Sequence, residues 1–468
     1  TLQGWYNFKE RKIPSSINKK KLGSNYISFQ DISIGVLWFV ILLLISSYKA
    51  NKIENVQIKK YYLRNVLFKF LFAILFSIIY LVYYGGGDTT AYWDGAITLN
   101  KLFFQSPVDY IVHLFSEPTA ALRSLHFNID TGYPPGWIYR ESEAWFICKL
   151  SSIISLFTFR SYFAGTLIFA YLTARASWRV FQMIYHLKTH NVRVAAYCIL
   201  FIPTVSFWCA GINKDTVIYF SLLNILFYTF DFLILKNPIS ISKIVYLGVS
   251  VFLIFHIRSF VLAAIAAPLF MAFGARLTKK YEQNFFAKLL LRSIILFGGL
   301  FLFLYFFQSS FAESMIKEAQ VVQQDFLQNS IYTGKRYEIM NTEVSPAGLL
   351  AAVPESIFYG IYRPFITEAL SLNFILNGLE SAVLMFITIR FLFWGNVFKK
   401  IKKIRKEEIL VFALIFALFI AFMAGFTSVL FGVLVRIRAP LLPFIFLVLT
   451  TNVFDRASEN SEENFIEN

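Results

Sequence analysis

Two carboxylates, Asp88 and Asp94, stand six residues apart in "GGGDTTAYWDGA" (85–96), directly after an apolar run. Carboxylates there can serve as general bases, and the three glycines let a backbone approach a ligand closely. The structural alternative is an Asp-Thr-Thr cap that starts a helix at Ala91. A second pair, Lys214–Asp215, lies in "CAGINKDT" (209–216). It reads either as an anion-binding lysine or as an ion pair at a helix start, where the dipole suits Asp215 but not Lys214. Arg258 in "HIRSF" (256–260) and Arg436 and Arg438 in "RIRAP" (436–440) sit at the ends of apolar segments. Guanidinium forks match phosphate oxygens in bidentate fashion, although arginines near helix ends also snorkel to headgroups.

The stretch "YGIYRPFITEALSLNFILNGLES" (359–381) supplies Arg363 and Glu380. Glu380 falls inside an apolar segment, where a carboxylate is either functional or paired with one of the arginines. "YPPGWIYRESEAW" (133–145) adds Arg140, Glu141 and Glu143 among aromatic residues that also suit an interfacial belt. His256 has no neighbour in the sequence to pair with and reads as a packed side chain. No nucleotide-binding loop, no hydrolase triad spacing and no His/Cys zinc spacing is present. Three cysteines, Cys148, Cys198 and Cys209, all lie in apolar surroundings and form no disulfide framework.

The elements that must position these groups are membrane helices. Of the 468 residues, 57% are hydrophobic and only 15% charged, and mean hydropathy is +0.59. Repeated apolar runs of spanning length make this an all-α polytopic membrane protein rather than a soluble domain or a β-barrel. The apolar segments fall near 33–48, 66–84, 161–184, 194–210, 216–235, 244–257, 259–274, 289–307, 372–394, 409–432 and 439–454, with a weaker one at 142–159. About 11–13 transmembrane or re-entrant helices are therefore expected, in one polytopic domain over 1–454 followed by a disordered acidic tail at 455–468. The start of the chain lacks a cleaved-signal pattern, so insertion is expected to rely on the first membrane helices.

A net charge of +16 would suggest nucleic acid in a soluble protein, but here it reads as topology, and no nucleic-acid partner is expected. The basic loops 49–65, 185–193, 236–243, 275–288 and 399–408 are placed in the cytoplasm. Two larger external segments follow, at 85–141 and 308–371. The basic N-terminal 32 residues strain this frame, and 142–159 must then be interfacial or re-entrant. Within the frame Asp88, Lys214, Arg258 and the Arg436–Arg438 pair all converge on the external side, which suggests one polar cavity opening outward.

Gly86-Gly87-Asp88-Thr89-Thr90-Ala91-Tyr92, the basic loop before it and the Glu141–Trp145 stretch together resemble the EpsG-like exopolysaccharide polymerases. More broadly the chain is similar to the C-type membrane glycosyltransferases (the GT-C fold). "RIRAPLLPFIFL" (436–447) resembles the Arg-x-Arg-x-Pro-x-x-Pro stretch near the end of many such enzymes, and "FWCAGINKD" (207–215) resembles a motif of bacterial relatives. Many C-type enzymes carry a tandem acidic pair where this chain has carboxylates six apart, so metal dependence is left open.

The resemblance implies a multi-pass enzyme of the bacterial inner membrane, active on its periplasmic face. Sugar or oligosaccharide would pass from a polyprenyl-phosphate or diphosphate carrier to a glycan or lipid acceptor. It implies Asp88 and Asp94 as catalytic carboxylates. Tyr92, Glu141, Lys214, Asp215, Arg258, Arg363, Glu380, Arg436 and Arg438 would serve as substrate or phosphate contacts. No cofactor is required, and a divalent ion is the one left open. Two other classes remain at this level: a lipid-linked glycan flippase, and a non-enzymatic subunit of an envelope complex.

Overall fold

The computed structural model describes residues 26–280, a few positions between 283 and 294, and residues 336–337, 346–368, 372–428 and 430–451. Most of the expected apolar segment 289–307, the external stretch 308–335 and the tail 455–468 lie outside the described residues. What is described is helical throughout, with one isolated bridge, Arg336 to Leu430.

The helices are α1 Phe29–Asn51, α2 Val56–Ile78, α3 Asp88–Gln105, α4 Pro107–Phe115, α5 Ala120–His126, α6 Gly136–Arg140, α7 Ser142–Phe157, α8 Tyr162–Leu187 and α9 Val192–Leu200. Then follow α10 Pro203–Trp208, α11 Lys214–Leu233, α12 Ile241–Lys280, α13 Pro346–Tyr362, α14 Leu372–Phe393, α15 Val397–Lys406, α16 Glu408–Thr427, α17 Phe431–Arg438 and α18 Leu442–Leu449.

Seven helices among the described residues are long and apolar enough to cross a membrane: Phe29–Asn51, Val56–Tyr83, Lys214–Leu233, Ile241–Ser259, Ile375–Phe393, Glu408–Thr427 and Phe431–Leu449. The pair α7 and α8, bent by 110° at its break, makes an eighth if it is one span. The chain is thus an all-α membrane protein; besides these spans among the described residues, several of the 11–13 expected transmembrane or re-entrant segments are broken or short. The breaks have local causes. The apolar run at 194–210 breaks into α9 and α10 because Pro203 cannot continue a helix. The run after Arg258 yields only a short apolar helix, Val261–Gly274. Arg258 itself adopts extended backbone inside α12 (φ −156°, ψ 88°), so the charge seen in the sequence coincides with a kink.

The segment 85–141, expected as an external loop, is mostly helix, in α3 to α6. By spatial clustering the chain divides into two compact units. The first comprises Thr1–Lys52, Lys69–Leu172 and Ala210–Thr216; the second comprises Ile53–Phe68, Thr173–Cys209 and Val217–Asn468.

In the first unit α3 packs against α7 and the start of α8 through missing side chains. A Cβ on Gly95 would lie 2.6 Å from Cys148 Sγ, and one on Gly165 would lie 2.5 Å from the Trp93 ring. Such small residues let helices approach closely where no hydrophobic effect drives them together. In the second unit the same device joins α13 to α16. A Cβ on Gly360 would overlap the Ala421 carbonyl, and one on Gly425 that of Ser356. The four-residue steps run in opposite senses on the two helices, so these cross antiparallel, backbone on backbone.

Candidate functional site

The glycine run is a turn before it is anything else. The apolar helix ends in a π-helical turn, Ile79–Tyr83, and Gly85, Gly86 and Gly87 follow at φ 68°, 134° and 155°. Residues with a Cβ rarely adopt those values, so the reversal into α3 requires glycine. Gly87 caps α3: its N–H donates to Thr90 Oγ1 at 2.9 Å, and its carbonyl accepts from the same hydroxyl at 2.8 Å. The helix therefore starts at Asp88 itself, whose carboxylate sits where the helix dipole favours it. Tyr92 is buried one turn further on.

Asp88 and Asp94 lie about 9 Å apart along the axis and roughly 120° apart around it, by helix geometry. They are not one carboxylate pair. Asp94 occupies the more enclosed position, where Tyr26 Oη donates to its Oδ1. Burial pushes the Asp94 carboxyl above its ordinary range, partly offset by that hydrogen bond. Burial and the neighbouring Asp94 also raise the Tyr26 phenol, which keeps it a donor. The Tyr26 ring packs at 5.6 Å, tilted by 46°, against Tyr162, whose hydroxyl shares a 2.9 Å hydrogen bond with Thr89. Asp31 Oδ1 accepts from the Tyr162 backbone N–H at 3.1 Å, and its carbonyl from Ser161 Oγ at 2.9 Å. The starts of α1, α3 and α8 are thus tied together around Asp94. Neither Tyr26 nor Asp31 was expected from the sequence. The available signal was Ser28 three residues before Asp31, an N-cap pattern, and Ser28 Oγ does accept from Asp31 N–H at 3.1 Å.

In the same unit Lys214 meets two of the expected carboxylates. Its Nζ lies 3.2 Å from Glu143 Oε2 and 3.6 Å from Glu141 Oε2. Glu141 is the N-cap of α7 and Glu143 sits in its first turn, both favoured by that helix's dipole. Lys214 opens α11 against the dipole, and the two half-exposed carboxylates offset that cost. Asp215 beside it is buried. Next to it Asn213 Oδ1 caps the helix, accepting from Thr216 N–H at 2.7 Å. Asp94 and Lys214 both lie within electrostatic range of the buried Cys148 thiol, so α3, α7 and the start of α11 bring these charges into one neighbourhood.

Three further expected residues meet in the second unit. Arg438, fully buried, donates to the carbonyls of Ile361 (3.3 Å) and Arg363 (2.5 Å), to Ser381 Oγ (3.1 Å) and to Glu380 Oε1 (3.4 Å). The Arg363 guanidinium stacks 3.9 Å from the Tyr359 ring centroid and lies 3.5 Å from Glu368. Arg438 is therefore committed to protein acceptors, in the buried pair that Glu380 suggested. Arg436, half-buried on α17, and Arg258, half-buried at the α12 kink, are not brought into this pair. Among the described residues no three His, Cys, Asp or Glu side chains converge as metal ligands.

No protein-family model, curated protein or solved structure matches the chain.

Proposed function

We propose that the protein is a membrane glycosyltransferase or glycan polymerase using a polyprenyl-phosphate-linked donor, with Asp94 as the base. The observation that carries this reading is the Asp94 environment: a carboxylate desolvated by burial, whose hydrogen-bond partner among the described residues is the neutral phenol of Tyr26. A raised carboxyl is a better proton acceptor near neutral pH than a solvated one. In the step proposed, the acceptor hydroxyl oxygen bonds to the anomeric carbon while its proton passes to Asp94. The anomeric C–O bond to phosphate breaks, and the polyprenyl phosphate or diphosphate leaves with the electron pair.

Glu141 and Glu143 outnumber Lys214 in charge, so this cluster suits sugar hydroxyls better than a leaving phosphate. An apolar groove of ≈ 340 Å³ in the same unit, lined by Ile32, Gly35, Phe39, Ala73, Phe163 and Leu167, is compatible with a lipid chain. On this reading the site faces the periplasm of a bacterial inner membrane, and Asp88 assists from the start of the same helix.

The test compares Asp94→Asn and Asp88→Asn by complementation of a deletion strain, scored by surface glycan and by protein level in membranes. Asn keeps the shape and the Tyr26 hydrogen bond but cannot take a proton. Lost glycan at normal protein level for Asp94→Asn supports the proposal. Normal glycan for both variants removes the carboxylates from the mechanism and favours a transport or scaffold role.

A further inference from the structure

A cationic helix joins two membrane spans. Helix α15, "VFKKIKKIRK", holds six cations in ten residues, between the span ending at Phe393 and the span beginning at Glu408. Those two neighbours fix its depth: a short helix between the ends of two spans lies at the bilayer boundary. Its orientation is also fixed. Lys400 is turned inward and donates to the carbonyls of Phe391 (2.7 Å) and Trp394 (2.5 Å), capping the end of α14. Ile404 is buried on the same side.

That leaves two outward faces. One is mainly apolar: Phe398 is 80% exposed and Ile401 42%, beside Trp394 at 76% on the preceding turn. The exposed Arg405 falls between Phe398 and Ile401 by helical spacing, where its stem can lie on the apolar flank and its guanidinium reach headgroup level. The other carries Lys399, Lys402 and Lys406, which helical spacing places within about 60° of one another. An aromatic flank beside a lysine strip fits a helix lying in the membrane plane, with its rings among the acyl chains and its ammonium groups at headgroup level.

We infer that α15 is a binding surface for anionic phospholipid, with phosphate-bearing headgroups on Lys399, Lys402 and Lys406 and acyl chains against Trp394, Phe398 and Ile401. Charge complementarity selects this occupant. A zwitterionic leaflet would satisfy the apolar flank equally well but would leave the lysine strip unmatched. Each lysine near an anionic leaflet contributes about a fivefold preference. This surface is independent of the proposed transferase site.

The test places the full-length protein in bilayers that mix phosphatidylglycerol and phosphatidylcholine, with one lipid or the other carrying brominated acyl chains. The emission of Trp394 is isolated by difference from Trp394→Phe. The expected result is quenching at least about threefold stronger by brominated phosphatidylglycerol than by brominated phosphatidylcholine at equal mole fraction, below the roughly hundredfold ceiling of three additive lysines. Raising salt to about 0.5 M, which shortens the Debye length to about 4 Å, should abolish the preference while quenching persists. The triple variant Lys399→Gln, Lys402→Gln, Lys406→Gln should do the same. Equal quenching by the two lipids at low salt overturns the inference, as does a preference that survives in the triple variant. Absence of quenching by either lipid would mean that protein covers the flank, and overturns it too. The salt arm uses the unmodified lysines, so a poorly folding variant cannot decide the result.

Discussion

Replacing Arg438 by methionine removes the buried guanidinium while filling much of its volume. The structure sets the cost. Glu380 would lose its cationic partner inside a membrane span, and the carbonyls of Ile361 and Arg363 and the Ser381 hydroxyl would each lose a donor. Breaking a buried ion pair from one side costs about 3–5 kcal/mol, because the remaining charge stays desolvated. Glu380→Gln leaves the fully buried Arg438 charge without its counter-charge and should cost a similar amount, about 3–5 kcal/mol. The double variant leaves no uncompensated charge, so its loss should fall short of the sum of the two by at least about 1 kcal/mol. The assay is denaturation of the purified protein in detergent, followed by tryptophan fluorescence, for all four corners of the cycle. Arg438→Lys supplies the geometric control, since a single ammonium cannot reach four acceptors spread around a planar fork. Strict additivity, or a lysine variant as stable as the parent, would refute the reasoning.

Three other outcomes follow from named contacts. Gly360→Ala drives a methyl into the Ala421 backbone, which cannot move aside, and should lower stability by about 1–3 kcal/mol or more in the same denaturation assay. His113 is held down to about 4, first by burial and then by His126 and Lys149. The unfolded chain therefore takes up a proton that the fold refuses. The stability His113 confers is complete above pH 6.5 and falls by about 3 kcal/mol as pH drops toward 4, and His113→Phe should flatten that part of the pH–stability curve. Asp94 works in the opposite direction: its raised carboxyl means that stability is lost as pH rises above the ordinary carboxyl range. Asp94→Asn should therefore denature no earlier than the parent at neutral pH and, on the function proposed above, lose about 10²–10⁴ in transfer rate.

Hydropathy located spanning helices because burial in lipid leaves so plain a mark: α1, α2, α11, α14 and α16 fall on expected apolar segments, as does α8 of the bent pair. It did not show where a segment breaks, as at Pro203, since a hydropathy window sums residues without registering the backbone. The pairing of Glu380 with an arginine was legible because a carboxylate inside an apolar run admits few other outcomes. The tension at Lys214 was legible too, as a cation at the wrong end of a helix. Its resolution was not, because Glu141 and Glu143 are more than 70 residues away in the chain. The Asp-Thr-Thr cap signalled a helix start near α3, but helices α4 to α6 left no such mark. They are short, aromatic and only partly apolar, and tertiary packing rather than periodicity makes them helical. The glycines before Asp88 suggested ligand approach, yet their positive φ values show that the turn alone demands them.

The buried carboxylates argue for where to look. Asp231 is matched by Lys243 at 2.7 Å and Glu380 by Arg438, so each of these two charges has an opposite charge beside it. Asp94 is matched instead by a phenol, which supplies a hydrogen bond but no compensating charge. A fold built for stability alone would place asparagine there, keeping the hydrogen bond without the desolvation cost. Among the described residues Lys214, in the same neighbourhood, is already outnumbered by Glu141 and Glu143. Uncompensated ionisable groups of this kind persist where a protein uses them. Asp94, rather than the better-matched arginines, is accordingly the residue on which the functional reading stands or falls.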